Sequence, residues 1–197
     1  MKRITSTSFL RKGFSFLCIV VGLGFVAHAQ MDVSLLEESV VEFEAKDERE
    51  TITGTIGITN MDFMLDVDNV ERSSLRIVVD PTTFSSGNGI RDTNARRTVF
   101  ETRQFPEIIF DLQTVNSSAA TLADGGTVDL TLQGELAMHG VTNPLEIPAS
   151  LTRLGNKVTA QGQFEVSLTS FEMSRPSFLV WTIDDIVIIR FTISGSF

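Results

Sequence analysis

Beyond residue 40 the chain alternates apolar and polar side chains with a period of two, and this limits what it can fold into more than any other feature. Val41, Phe43 and Ala45 alternate with Glu42 and Glu44. Ile52, Gly54, Ile56 and Ile58 alternate with Thr51, Thr53, Thr55 and Thr59. The longest run is Val128, Leu130, Leu132, Gly134, Leu136 and Met138 against Asp129, Thr131, Gln133, Glu135 and His139. Later runs are Leu145, Ile147, Ala149 and Leu151, then Val158 to Leu168, then Val187, Ile189, Phe191 and Ile193. Successive side chains of a strand point to opposite faces, so each run reads as a strand with one oily and one wet face. Ser86-Gly87-Asn88-Gly89, Asp124-Gly125-Gly126, Asn143-Pro144 and Gly155-Asn156 punctuate the runs as turns. Strands in such a series predict an antiparallel sandwich or barrel, and long one-faced strands favour a closed barrel, which has no exposed edge. The segment Arg91–Arg103 does not alternate. Ala95, Val99 and Phe100 recur there at helical spacing and predict a short helix in a long connection. No repeat or linker interrupts the pattern, so residues 30–197 are expected to form one all-β domain.

The first 29 residues read differently. Lys2, Arg3, Arg11 and Lys12 precede an apolar stretch from Gly13 to Val26, and Ala27-His28-Ala29 follows. A basic start, a short apolar core and small residues at a cleavage site make a secretory signal peptide, expected to be cut after Ala29; the alternative is a retained N-terminal anchor. Periplasmic export is the expectation. Residues 30–197 then keep 12 basic against 25 acidic residues. That balance argues against nucleic acid, which needs a basic field, and against tight docking on an anionic membrane. The only cysteine, Cys18, lies in the signal, so the mature chain must be held by its core alone.

The inward face of a small barrel either fills the interior or lines a cavity. Ala45, Gly54, Gly134, Ala149, Ala160 and Gly162 on that face are expected to leave room, although inward glycines also relieve strain where strands bend. Fifteen phenylalanines and no tyrosine suit a hydrocarbon better than a sugar or peptide. Catalytic groupings are scarce. His139 is the one histidine after the signal, and no G-x-S-x-G element accompanies it, so it reads as a turn residue. Asp184 and Asp185 point to opposite faces and read as solvated residues at a strand start. The run Glu42, Glu44, Asp47, Glu48 and Glu50 reads as a wet strand face and turn. No catalytic, metal or cofactor residue is assigned.

Three stretches resemble the YceI-like family of periplasmic polyisoprenoid-binding proteins. They are Gly87-Asn88-Gly89-Ile90-Arg91-Asp92 leading to Phe105-Pro106-Glu107-Ile108-Ile109-Phe110, the hairpin Leu130 to Pro144 with its histidine, and Phe164 to Ile189. Leu168 to Met173 departs from the common Arg-Ser-x-Phe-Gly form, and Ser174-Arg175-Pro176 is closer to another branch. The resemblance implies a lipocalin-like antiparallel β-barrel of about eight strands, exported, holding a prenyl chain along its axis. On that reading the protein is not an enzyme. The candidate lipid contacts are Phe43, Ile56, Phe63, Phe110, Leu132, Leu136, Phe164, Leu168 and Trp181, and an Arg91–Asp92 pair would hold the long connection near the barrel mouth. The expected partner is an isoprenoid-like lipid such as a prenyl quinone; transient membrane contact and a homodimer are both compatible with the sequence. The alternative is a filled barrel serving protein interaction or stress protection without a lipid.

Overall fold

The computed structural model describes residues 30–178 and 181–197, with the side chains of 177–181 outside the description. The signal reading therefore lies outside the described residues. Eight long strands follow one another along the chain. They are β1 (Val40–Lys46), β2 (Thr51–Leu65), β3 (Ser74–Ser85), β4 (Ile108–Ser117), β5 (Thr127–Met138), β6 (Val141–Leu154), β7 (Lys157–Ser167) and β8 (Ile186–Ser196). Each pairs antiparallel with the next. β8 also pairs with β1, from Ile188 opposite Glu44 to Thr192 opposite Val40, and this closes the sheet into a barrel.

The alternation survives in each strand, but its phase changes along three of them. In β3 five steps from Asp80 to Ser85 oppose two of β2, so Leu75, Ile77 and Val79 give way to Phe84 on the inside. In β2, Ile58 pairs with Val79 and Asn60 with Val78, which leaves Thr59 as an extra residue. A bulge of this kind turns the following side chains over. Ile52 and Ile56 face inward before it, and Met61, Phe63 and Leu65 after it. Ile58, which precedes the bulge, does not border the interior, contrary to the unbroken alternation expected of this run. In β4, Gln113 is the extra residue between Leu112 and Thr114, so Phe110 and Leu112 give way to Val115 on the inside.

The two ends of the barrel differ. At one end the segment 31–36 crosses between β2 and β8, pairing Met31 with Leu65 and Ser34 with Ser196. Val33, Leu65, Val70 and Leu122 are almost wholly buried there and stop that end. The Leu122 amide donates to the Val67 carbonyl and the Val70 amide to that of Ala120, tying the plug together.

At the other end a helix, α1 (Gly89–Thr98), lies across the opening. It is the short helix expected in the 91–103 connection, and it begins two residues earlier, at Gly89. Asn88 caps it, its side chain accepting from the Ile90 and Arg91 amides. The backbone leaves the helix after Val99, and Glu101 adopts a left-handed conformation (φ 47°) that a helix cannot continue through. The segment 168–185 completes this end with a helical turn at Thr169–Phe171 and a short pairing of Ser177–Phe178 with Trp181–Thr182.

Leu122→Ala is expected to destabilise the barrel by about 2–5 kcal/mol, since the stopper cannot collapse around the space left. A shift in the urea midpoint at unchanged slope would measure this; a shift near zero would mean the closed end is not part of the cooperative core.

Candidate binding site in the barrel lumen

Inward residues of all eight strands surround a cavity of about 780 Å³. Its wall is apolar over most of its length, and it runs from Leu65 and Val70 at the stopped end to α1 at the other. Eight-stranded barrels have interiors just wide enough to be filled by side chains or to hold one small ligand. A volume of ~300–1,000 Å³ is that of ligand pockets, so the second description fits here.

Phe43, Ile56, Phe63, Phe110, Leu132, Leu136, Phe164 and Leu168 all border this one cavity. Phe63 does so through the Thr59 bulge, and Leu168 from just beyond the end of β7. The side chain of Trp181 lies outside the described residues. Phe84 and Met61 also line the wall, where irregular register hides them from a period-two reading. Phe84 stacks on Phe43 with centroids 4.5 Å apart and touches Phe100 at 5.3 Å, forming an aromatic group beneath α1.

The glycines of the inner face do not leave room in the way expected of them. A Cβ on Gly54 would lie 2.6 Å from the Phe43 ring, on Gly134 2.8 Å from the Phe110 ring, and on Gly162 2.6 Å from the Phe191 ring. Each glycine is therefore covered by a phenylalanine ring of a neighbouring strand. The ring lies against bare backbone and so stays close to the wall. Ala149 does not border the cavity, while Ala45 and Ala160 do.

Polar groups on the lining gather at the α1 end: Asp47, Arg49 and Glu50 from the β1–β2 turn, and Asn88, Arg91, Asn94 and Thr98 from the helix region. Ser73 is the one polar side chain of the lining near the stopped end. Arg91 does not pair with Asp92. Its Nε donates to the Ser86 hydroxyl at 2.8 Å, one Nη donates to the Ser86 carbonyl at 3.2 Å, and the other meets Glu50 at 3.3 Å. The guanidinium thus links α1 to the β1–β2 turn across the mouth. Asp92 turns inward instead, accepting from the Ser86 amide and hydroxyl. Burial pushes its carboxyl up, but these two donors, with the charges of Arg96 and Arg91, outweigh it and hold the carboxyl below its ordinary range.

Of the remaining polar candidates, His139 is a turn residue. Met138 pairs with Val141, and His139 (φ 53°) with Gly140 (φ 79°) forms the two-residue hairpin turn between β5 and β6. Its ring packs on Phe105, and Nδ1 lies 3.2 Å from the Phe171 carbonyl. Asp185 is not a freely solvated residue. It accepts from the Ser167 hydroxyl (2.6 Å) and the Thr169 amide (2.9 Å), which hold its carboxyl below the ordinary range and fix the chain where β7 ends. No group of three His, Cys, Asp or Glu side chains among the described residues could hold a metal ion.

A closed antiparallel barrel with an apolar lumen and one polar end is an architecture that can hold a small apolar molecule. The YceI-like domain matches residues 33–195, and the chain belongs to the YceI-like family. Among curated relatives, a UPF0312 protein of Vibrio campbellii is 29% identical over 129 residues, covering 62% of this chain and 65% of the relative. One from Vibrio parahaemolyticus is 30% identical over 106 residues, covering 53% and 52%. The match thus spans between half and two thirds of the curated relatives' length. Among solved structures, BcnA of Burkholderia cenocepacia superposes with a TM-score of 0.67 at 17% identity, covering 80% of this chain and 96% of that one. A polyisoprenoid binding domain from Saccharophagus degradans does so at 0.65 and 13%, covering 84% and 97%. At these identities the likeness is one of fold.

Two outcomes are expected. Gly162→Val should force the Phe191 ring off the wall and move the Pro148 carbonyl, lowering stability and lumen volume together; a crystal structure with Phe191 unmoved would contradict the account of the glycines. Asp92 has a folded-state pKa below its unfolded value, so folding favours its ionised form. Its stabilisation is complete above the unfolded value of about 3.9 and is lost as pH falls through the lower folded value. Asp92→Asn should flatten the acid limb of a stability–pH profile, with little change in its slope above pH ~6.

Proposed function

We propose that the protein is an exported carrier or store for a polyisoprenoid or similar long apolar chain, such as a prenyl quinone, held within the barrel. It is a binding protein and not an enzyme. The single observation that carries this reading is the apolar lumen of about 780 Å³, stopped at one end. The binding activity of the Saccharophagus relative supports it. So does the N-terminal pattern of Lys2 to Ala29, on which export to the periplasm rests. The filled-barrel alternative lacks support, because the phenylalanine rings lie along the wall instead of meeting at the axis.

Energetics favour exchange over trapping. Burying a tail of about twenty carbons gains ~16 kcal/mol relative to water, at ~0.8 kcal/mol per CH₂. The lipid's actual alternative is a bilayer, which buries the same tail equally well. Transfer from membrane to barrel therefore lies near zero, and small differences in ordering cost decide its direction. The tail should enter first, toward Leu65 and Val70. The head would stay beside Arg91 and Asn94, where polar groups and water are available.

Solvent extraction of the protein purified from a membrane-containing host, followed by mass spectrometry, should find a co-purified long-chain lipid, and added prenyl quinone should be taken up. Absence of both would refute the proposal. Leu132→Arg, which puts a charge in the lumen, should reduce uptake at least about tenfold, since an unpaired buried charge costs well over 1.4 kcal/mol. Thr131→Arg, on the outer face, should leave it unchanged.

A further inference from the structure

The helix at the mouth carries exposed groups, Ile90 and Arg97, to which the carrier reading assigns no contact with the lipid. α1 shows a stripe of exposed side chains at Ile90, Asn94 and Arg97, spaced i, i+4 and i+7 along one face. Ile90 is 79% exposed, the most exposed of the large apolar side chains, and it also borders the lumen. The connection that contains α1, residues 86–107, holds Arg91, Arg96, Arg97 and Arg103 against Asp92, Glu101 and Glu107. It is therefore slightly basic on a domain with 12 basic and 25 acidic residues. Asp92 is buried and engaged by Ser86, so it contributes little to the outer field. Arg96 is spent on the Asp92 and Thr82 carbonyls. Arg97 and Arg103 are exposed and make no hydrogen bond or ion pair among the described residues.

We propose that this face of α1 docks the barrel mouth on an anionic lipid bilayer, with Ile90 entering the interface and Arg97 and Arg103 meeting lipid phosphates. The proposal rests on the lumen being a lipid site. A hydrocarbon tail that leaves a bilayer for a barrel through water pays the full cost of exposure, so the portal must reach the membrane. Charge complementarity selects the side that faces down. The β1–β2 turn opposite α1 carries Asp47, Glu48 and Glu50 against Arg49 and is the more acidic side of the mouth, so contact is tilted toward α1. The acidic remainder of the domain keeps the contact transient. The other end offers a control: Leu154 is 65% exposed there, but that end is stopped.

The test uses the purified full-length protein with vesicles of phosphatidylcholine, with or without phosphatidylglycerol, carrying a prenyl quinone. The wild type should float with the anionic vesicles, and less so at higher salt. It should also take quinone from them faster than from the neutral ones. Arg97→Glu combined with Arg103→Glu should weaken vesicle binding at least about twentyfold, at roughly fivefold for each arginine lost. Uptake of quinone presented in cyclodextrin should be unchanged in that variant. Ile90→Asp should also lower flotation, and Leu154→Asp should not. Equal flotation of wild type and the double arginine variant overturns the docking face while leaving the lumen reading intact. Failure of the wild type to take quinone from cyclodextrin sinks the lumen reading instead, and flotation still decides the docking face on its own.

Discussion

Closure of the sheet by β8 against β1 is the constraint from which the rest follows. Once eight strands are hydrogen-bonded in a ring, the circumference is fixed and only side-chain volume decides whether the centre is solid. The chain places large aromatic rings on the inside and then makes room for them in the wall. Phe43 lies over Gly54, Phe110 over Gly134 and Phe191 over Gly162. Without a Cβ beneath it, each ring packs flat on backbone, gaining its contact area without crossing the axis. The glycines matter through the rings they admit, because the space above each of them is filled.

The closed ring also explains the stability of a domain without cysteines in its described part. Each of the eight long strands has a partner on both sides, and both ends bury apolar groups, with Val33, Leu65, Val70 and Leu122 at one and Phe171, Met173 and Val99 at the other. Polar groups also cross the seam: Arg190 reaches Glu44 on β1 as well as Gln163, and the Ser39 hydroxyl exchanges hydrogen bonds with the Ser194 backbone. The Arg190–Glu44 pair is half-exposed on its arginine side and contributes little. The seam is held by its backbone ladder and by the oily residues behind it.

The strands and the inward identity of most lumen residues were legible in the sequence, because a buried face imposes strict alternation wherever register is regular. Legibility failed where a single residue was added. Thr59 and Gln113 look like any other polar residue of a strand, yet each reverses the faces beyond it, which turns Phe63 and Val115 inward. The start of the helix was not legible for a related reason. Asn88 acts as a cap only through a side-chain bond to amides two and three residues on, and its neighbours Gly87 and Gly89 made the same stretch read as a turn. Arg91 and Asp92 are adjacent and opposite in charge, so sequence pairs them. On a helix they diverge by about 100°, and Ser86 engages both from the preceding strand end. None of these partners could be found from local pattern alone.

The same geometry gives the barrel a direction. The lining of the stopped end is apolar apart from the Ser73 hydroxyl, and the buried Asp66 behind it does not border the lumen. Every charged side chain of the lining lies at the α1 end, already paired: Arg91 with Glu50 and Arg49 with Asp47. Paired charges present hydrogen-bonding groups without a large net field. They suit a neutral polar head better than a phosphorylated one, whose two negative charges would face Asp47 and Glu50 as well as the arginines. On the proposed function, a chain molecule with one modest polar end would match this lumen, its tail toward Leu65 and its head toward α1.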